Sequence, residues 1–477
     1  MNTFIMHDMP SKAKLTSANE TVLPSHGLFD TIVRMRRPSD KQYLCIDLKS
    51  FYASVECVDR DLDPLTTDLV VADPTRTNKT ICLAVSPSLK AKGVRNRCRV
   101  FEIPPGIRYT MAPPRMARYI EVSAQIYGIY LRWLSKDDIH VYSIDEAFFD
   151  VTPYLRMYGV SARELGERIR ADVVAQTGIP ATCGVGTNLY LAKVALDITA
   201  KHSPDFFGEL TEESYRATLW GHRPITDFWR VGPGIARRLA QMGIHTMGQL
   251  ALAPPDPIYD AIGVDAEILI DHAWGVEPVQ MRHIKAYKPQ THCITNAQVL
   301  ACDYDFDDAR VVLKEMADAV ALDLVQRGKA AGSVVVWVNY GLTDDERAAM
   351  RAEGNVRFWG GPSDGGSRRF VSPTSSRRQI IDAAVAVFDA NVSRERGVHR
   401  LNVTLDGVVD EHAPGVQLDL FSNPEELERE HRRQLAVSAV KEKFGKNSLL
   451  KGIDLLDVAT ARERNQQIGG HRSGREE

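Results

Sequence analysis

The stretch that most constrains the fold is Val141-Tyr142-Ser143-Ile144-Asp145-Glu146-Ala147-Phe148-Phe149-Asp150. An apolar run from Ile139 to Ile144 leads into two adjacent carboxylates, and a second apolar run, Ala147 to Phe149, follows at once. The pattern predicts strand, tight turn, strand, with the acids at the turn. Two acids side by side at a strand end are costly unless something positive sits there. A divalent cation is the usual compensation, and it calls for a further carboxylate at the end of another apolar strand. Tyr43-Leu44-Cys45-Ile46-Asp47 supplies one.

A chain of 477 residues has room for three or four domains. Its 44% hydrophobic and 25% charged content is that of a globular protein with real cores. No apolar run has transmembrane length, and the first forty residues lack a signal-peptide pattern. The seven cysteines are scattered and form no CxxC pair, which argues against a zinc site or a disulfide framework. The expectation is reduced thiols in a cytoplasmic protein. A net charge of −3 does not announce nucleic acid, but local charge does better. Residues 90–99 carry five basic side chains and no acid, and residues 351–400 carry nine arginines against five acids. Each is a weak pointer to phosphate binding and reads equally well as a solvated surface.

Taken in order, residues 1–40 read as an irregular extension. The strand ending at Asp47 is followed by a short helix opening at Phe51. Two short strands are expected at Leu69–Ala72 and Thr80–Val85, and a long helix from about Arg115 to Ser135. After the acidic hairpin come a helix at Ala162–Gln176, a strand at Ala181–Val185 and a helix from Asn188 to about Lys201. This order resembles a split β-α-β unit, with Asp47 and the Asp145/Glu146 pair on neighbouring strands of one sheet. Arg230-Val231-Gly232-Pro233-Gly234-Ile235, then a helix, then Met242-Gly243-Ile244, reads as a helix-hairpin-helix. Such a glycine turn lets backbone N–H groups approach a phosphate, although an ordinary helical turn looks the same.

From about residue 291 a second α/β unit is expected, with strands at Cys293–Leu300, Gly332–Tyr340 and Val398–Leu405. One helix face runs from Ala309 to Leu324 and another from Ile380 to Phe388. The Gly/Pro/Ser-rich stretch 360–376 reads as a loop. Gln417-Leu418-Asp419-Leu420-Phe421, between Pro414-Gly415 and Pro424, reads as an exposed docking peptide, unless its apolar residues cover a nearby core. Helical stretches are expected after residue 424, and Gly469–Glu477 reads as a disordered polar tail.

On these residues the chain resembles the Y-family, translesion DNA polymerases, nearest the bacterial UmuC-like branch, over about residues 41–421. The most specific pieces are Asp47-Leu48-Lys49-Ser50-Phe51-Tyr52-Ala53-Ser54-Val55-Glu56 and Ser143-Ile144-Asp145-Glu146-Ala147, and Ile468-Gly469-Gly470-His471 also looks like that branch. The resemblance implies an α+β multi-domain right hand. A ferredoxin-like palm would take 41–57 and 115–225, small fingers 58–114, a helix-hairpin-helix thumb 226–290, and an α/β little finger 291–410. The clamp-binding peptide and C-terminal tail would take 411–477. It implies that Asp47, Asp145 and Glu146, with the Leu48 carbonyl, hold two Mg²⁺ ions. Tyr52 would be a steric gate against ribonucleotides, Lys90 and Lys193 would bind the triphosphate, and Gly232 and Gly234 would approach DNA. Gln417, Leu418, Leu420 and Phe421 would bind a sliding clamp. From the residues alone, Tyr52 reads as a core residue of a short helix and Lys193 as an i,i+4 partner of Asp197. Three positions depart from the common pattern. Lys49 stands where many members have an acid, Pro87 where many have tyrosine, and Lys90 where many have arginine.

The expected activity is low-fidelity, template-directed DNA synthesis past damage in an SOS-type repair response. Primer-template DNA and dNTPs would be the partners of a monomeric enzyme that does not associate with membranes. Two other readings compete. A catalytically weak clamp-binding accessory protein would not need all three acids. A nucleotide cyclase, which also pairs acids on a palm, would need neither the helix-hairpin-helix nor the clamp peptide.

Overall fold

The computed structural model describes residues 41–289, 292–352, 361–411 and 423–474. The docking peptide at Gln417–Phe421 and the extension 1–40 lie outside the described residues. The chain divides into two compact units, one of residues up to 288 together with those from 472 onward, the other from 289 to 471.

The first unit is built on β1 (Tyr43–Leu48), whose side chains are nearly all buried. A strand apolar on both faces belongs in the middle of a sheet, and β1 is the central strand here. The hairpin β5 (Ile139–Val141) and β6 (Glu146–Asp150) lies on one side, and β7 (Ala181–Gly186) and β8 (Phe207–Leu210) on the other. On one face Tyr130 of the helix Met116–Trp133 meets Phe149 edge-on at 4.9 Å. On the other, Tyr43, Cys45 and Phe148 pack with Leu189, Ala192 and Leu196. That helical run reaches the sheet because β7 offers glycines. A Cβ on Gly186 would stand 2.2 Å from the Ala192 amide nitrogen, and one on Gly184 2.2 Å from the Ala192 carbonyl oxygen.

Between β1 and the long helix, α1 (Phe51–Val58) leads to a small three-stranded sheet of β2 (Leu69–Val71), β3 (Ala84–Val85) and β4 (Thr110–Ala112). Its core holds Val70, Cys82, Val85, Leu89, Val94, Cys98 and Ile103. The cysteines of this core and of the palm are buried free thiols, as expected, whereas Cys293 and Cys302 are exposed. The long helix, α2 (Met116–Trp133), α3 (Ala162–Thr177) and α4 (Leu189–Val194) follow the expected order. The helix expected from 188 to 201 is not uniform: after α4 it widens into a π turn at Ala195–Thr199 and tightens into a 3₁₀ turn at Ala200–His202. The thumb then packs α5 (Pro233–Gln241) and α6 (Met247–Leu252) on a core that includes Phe228, Leu239, Met247 and Leu250. Gly243, between them, takes φ +75° and turns the chain.

The second unit is built on a five-stranded antiparallel sheet in which β9 (Cys293–Tyr304), β10 (Lys329–Tyr340), β11 (Ser363–Thr374) and β12 (Val398–Asp406) run in the order β11-β10-β12-β9, and the short strand Val409–Asp410 pairs with the start of β10. Helices α7 (Phe306–Gln326) and α8 (Arg377–Asn391) cover one face, with Phe306 and Phe388 in ring contact at 4.9 Å. Among the described residues no helix of this unit covers the opposite face. Alternation along β10 and β12 puts Val335, Trp337, Asn402 and Thr404 on it, and β11 adds Arg369 opposite Ser333. The stretch 360–376, expected to be a loop, is therefore largely strand. β11 is an edge strand, where Pro373 is tolerated and pairing with β10 replaces intrinsic β propensity.

After residue 423, α9 (Pro424–Phe444) joins this unit, with Ser376 Oγ donating to Glu430 Oε2 at 2.7 Å. Further on, the buried Glu315 carboxylate accepts the Thr460 and Ala461 amides at 3.0 and 3.3 Å. The tail expected to be disordered is described as far as Gly474.

Candidate active site

The register of the palm sheet sets the site. Asp47 pairs directly with Glu146 across β1 and β6, one residue from the end of β1. Both strand ends bring a carboxylate because each apolar run stops at an acid. Asp145 occupies the turn just before β6, and its carbonyl accepts the Leu48 amide at 2.9 Å, which ties the turn to the end of β1. Ser143 Oγ donates to Asp145 Oδ1 at 2.6 Å, and Ser123 Oγ of α2 donates to the Ile144 carbonyl at 2.6 Å. The turn is thus fixed from two sides.

Burial raises the Asp47 carboxyl, against the pull of Lys201, and it raises the Glu146 carboxyl, against the pull of Lys193. Lys193 Nζ lies 2.8 Å from Glu146 Oε1 and 2.9 Å from Asp197 Oδ2. Lys201 Nζ lies 3.2 Å from Asp47 Oδ2 and 2.8 Å from Asp197 Oδ1. Asp197 therefore bridges two lysines, each of which also meets one of the strand-end acids. Cys45 also donates its thiol to Glu146 Oε1 at 3.1 Å. Among the described residues no three His, Cys, Asp or Glu side chains converge closely enough to enclose an ion. Asp47 and Glu146 each pair with a different lysine, Lys201 and Lys193. The donor set itself, carboxylate and carbonyl oxygens at one strand end, fits a hard divalent cation.

The structure separates the two lysines. The Lys193 side chain is 8% exposed and that of Lys201 40% exposed. The i,i+4 pair of Lys193 with Asp197 is present. Burial acts to lower Lys193, but Glu146 and its other neighbours outweigh it and the ammonium is held charged. Lys201 was not singled out from the sequence. Its signal was there: Lys193, Asp197 and Lys201 recur at four-residue spacing along one helical run. Lys90, in the short helix Pro87–Ala91, donates to Ser50 Oγ at 2.8 Å. Ser50 holds a left-handed φ of +48° between β1 and α1. Lys49 lies over the Phe206 ring at 3.7 Å, so its cation takes an aromatic partner where an acid would not.

Tyr52, in the first turn of α1, is half-buried and stacks on Tyr119 of α2, with centroids 4.4 Å apart and planes 14° from parallel. Tyr119 donates its hydroxyl to Glu56 Oε1 at 2.7 Å. Glu56 is fully buried and is also held by Arg115, Nε to Oε1 at 2.9 Å and Nη2 to Oε2 at 3.0 Å. Neither Tyr119 nor Glu56 was picked out as functional from the sequence, because only packing brings them to Tyr52. In the thumb, Gly232 is the N-cap of α5 and Gly234 lies in its first turn; both are exposed, and nothing stands within 4 Å of where a Cβ would be. No helix among the described residues is long and apolar enough to cross a membrane.

The impB/mucB/samB family matches residues 46–197, and that family's C-terminal domain matches residues 294–420. UvrX of Bacillus subtilis (strain 168), named for UV-damage repair, is 30% identical over 443 residues, spanning 91% of this chain and 98% of the relative. DNA polymerase IV 2 of Halalkalibacterium halodurans is 29% identical over 91% of this chain and 99% of its own length. DNA polymerase IV of Moorella thermoacetica is 30% identical over 87% of this chain and 97% of its own. A solved Y-family DNA polymerase chimera, Dbh-Dpo4-Dbh, shares the fold with a TM-score of 0.58 at 19% identity, over 77% of this chain and 99% of that one. Asp47, Asp145 and Glu146 all fall within the matched family segment, and the polymerases named here align over nearly their whole length. The chain belongs to the Y family of translesion DNA polymerases and is a DNA-directed DNA polymerase.

Proposed function

We propose that the chain joins dNTPs to a primer 3′-hydroxyl with the help of two divalent metal ions, at low fidelity, opposite damaged template bases. The observation that carries this reading is the direct Asp47–Glu146 pairing across β1 and β6, with the Asp145 turn hydrogen-bonded onto the end of β1. Asp47, Asp145, Glu146 and the Leu48 carbonyl would hold the metals. When bound, the ions lower the pKa of the primer hydroxyl and neutralise charge on the triphosphate and its leaving group.

The chain's own residues supply the rest. Lys201, the more exposed of the two lysines, is placed to meet the triphosphate, while Lys193 stays beneath Glu146 and holds it in register. Lys90 stands near by on the finger side, beside Ser50. The Tyr52 ring, backed by Tyr119, presents a flat surface that a 2′-hydroxyl would strike. The exposed N-terminus of α5 offers N–H groups to a backbone phosphate. Trp337, Arg369, Asn402 and Thr404 on the open little-finger sheet fit contact with a sugar-phosphate backbone. A sliding clamp would dock on Gln417–Phe421 of a monomeric, cytoplasmic enzyme.

The test is primer extension on a defined template with Mg²⁺, with and without a chelator. Asp145→Ala is expected to lose extension by at least 100-fold while binding primer-template normally, because backbone contacts lie elsewhere. Substantial extension by that variant would remove Asp145 from the metal set. The accessory-protein reading gains no support from the two DNA polymerase IV relatives, which align over 99% and 97% of their own lengths.

A further inference from the structure

Near its C-terminal end the chain carries Ile468-Gly469-Gly470-His471, followed by Arg472-Ser473-Gly474. The chain leaves the first unit at Lys288 and returns to it at Arg472. There, three residues touch the polymerase core in three ways. The Ser473 carbonyl accepts the Ala117 amide at 2.9 Å. Arg472 Nη1 lies 3.7 Å from Asp73 Oδ1, just beyond β2. Gly474, at φ +74°, packs so closely on Arg115 that an added Cβ would stand 2.7 Å from its Cα.

Ala117 is in the first turn of α2, where helix amides have no partner within the helix. The N-cap of α2 is Arg115, which makes no side-chain cap, and the first turn contains no acid. Ala117 is buried, so water is a poor substitute for a partner. The tail carbonyl is thus a cap brought in from the far end of the chain. The capped turn is also the one that bears on Tyr52. Its Arg115 grips Glu56, Glu56 accepts the Tyr119 hydroxyl, and Tyr119 stacks on Tyr52.

We propose that Arg472–Gly474 form a strap that caps and clamps the first turn of α2 and so positions the Tyr52 face of the nucleotide site. Arg472, Ser473 and Gly474 are positioning residues that act through Arg115 and Tyr119. The consequence for sugar selection rests on the reading of Tyr52 as the steric gate; the cap does not.

The experiment compares the full chain with a chain ending at Gly470 and with Gly474→Val. Two quantities are read: amide exchange of Ala117, and the ratio of kcat/KM for dNTP over rNTP. Both variants should exchange the Ala117 amide roughly 10-fold faster, since its one partner is withdrawn. Both should lower the sugar ratio several-fold, with a smaller change in kcat for the dNTP. Adding Tyr52→Ala should abolish the tail's effect on the ratio, because two changes acting through one group do not add. Unchanged Ala117 exchange in a folded variant overturns the strap. Faster exchange with an unchanged ratio, in an enzyme whose ratio Tyr52→Ala does lower, overturns its positioning role. If Tyr52→Ala itself leaves the ratio unchanged, the gate reading is at fault, and the strap then stands or falls on the exchange of Ala117. Should the truncated chain fail to fold, Gly474→Val alone decides.

Discussion

At the scale of single residues, two lysines of the same helical run differ in exposure. Lys193 is nearly sealed between Glu146 and Asp197, whereas Lys201 is partly open beside Asp47. Removing one partner of a buried ion pair leaves an uncompensated charge. Lys193→Met should therefore cost about 3–5 kcal/mol of stability, because Glu146 loses its cation and keeps the Asp47 carboxylate across from it. Lys201→Met should leave the melting temperature almost unmoved and instead raise KM for the dNTP. Thermal unfolding and steady-state insertion of one nucleotide separate the two; a stable Lys193→Met with a raised KM would return Lys193 to the triphosphate. Tyr52 makes a second residue-scale case. Its ring is held by a stack on Tyr119. Tyr52→Ala should keep dNTP insertion while raising rNTP incorporation by roughly 10-fold or more. An unchanged dNTP/rNTP ratio would reduce Tyr52 to a packing residue of α1.

At the scale of elements, what the sequence revealed depended on whether local pattern or distant pairing builds the element. β1 and the β5–β6 hairpin were legible because apolar runs stop abruptly at acids, and the structure places Asp47 opposite Glu146 as that pattern implied. The edge strand β11 was not legible. Its Ser, Gly and Arg residues carry no strand propensity, and only its register with β10 makes it a strand. Gly365 there leaves room for Trp337, whose ring lies 2.5 Å from where a Cβ would stand. The π turn at Ala195–Thr199 was equally hidden, since no glycine or proline marks it. The helix-hairpin-helix gave itself away by its glycines, and it offers a clean test. Nothing within 4 Å obstructs a side chain at Gly232, and aspartate is a good N-cap. Gly232→Asp should thus leave α5 folded, yet set a carboxylate where a phosphate would dock. The expected result is weaker primer-template binding at every sequence with an unchanged or slightly higher melting temperature. Equal affinity and an equal salt slope in the variant would take this helix end out of the DNA contact.

At the scale of the whole molecule, the acids lie in the first unit and the sheet that carries Arg369 and Trp337 in the second. Small fingers, as the family resemblance implies, would give few contacts to hold DNA between successive insertions. Tethering to a ring on the same DNA would compensate by raising local concentration, and linkage of this kind can multiply occupancy about 100-fold without a new DNA contact. Gln417-Leu418-Asp419-Leu420-Phe421 is the candidate tether, lying between the second unit's last sheet strands and α9. The strongest anchors in such a peptide are its large apolar side chains, which need a pocket on the partner. Replacing Leu420 and Phe421 together by Ala should leave single-nucleotide insertion without a clamp unchanged. The same variant should lose clamp-stimulated synthesis, and calorimetric titration with the clamp should show the binding gone. If the double variant is stimulated as strongly as the parent, Leu420 and Phe421 serve the fold of this chain, and the clamp contact has to be sought on another surface.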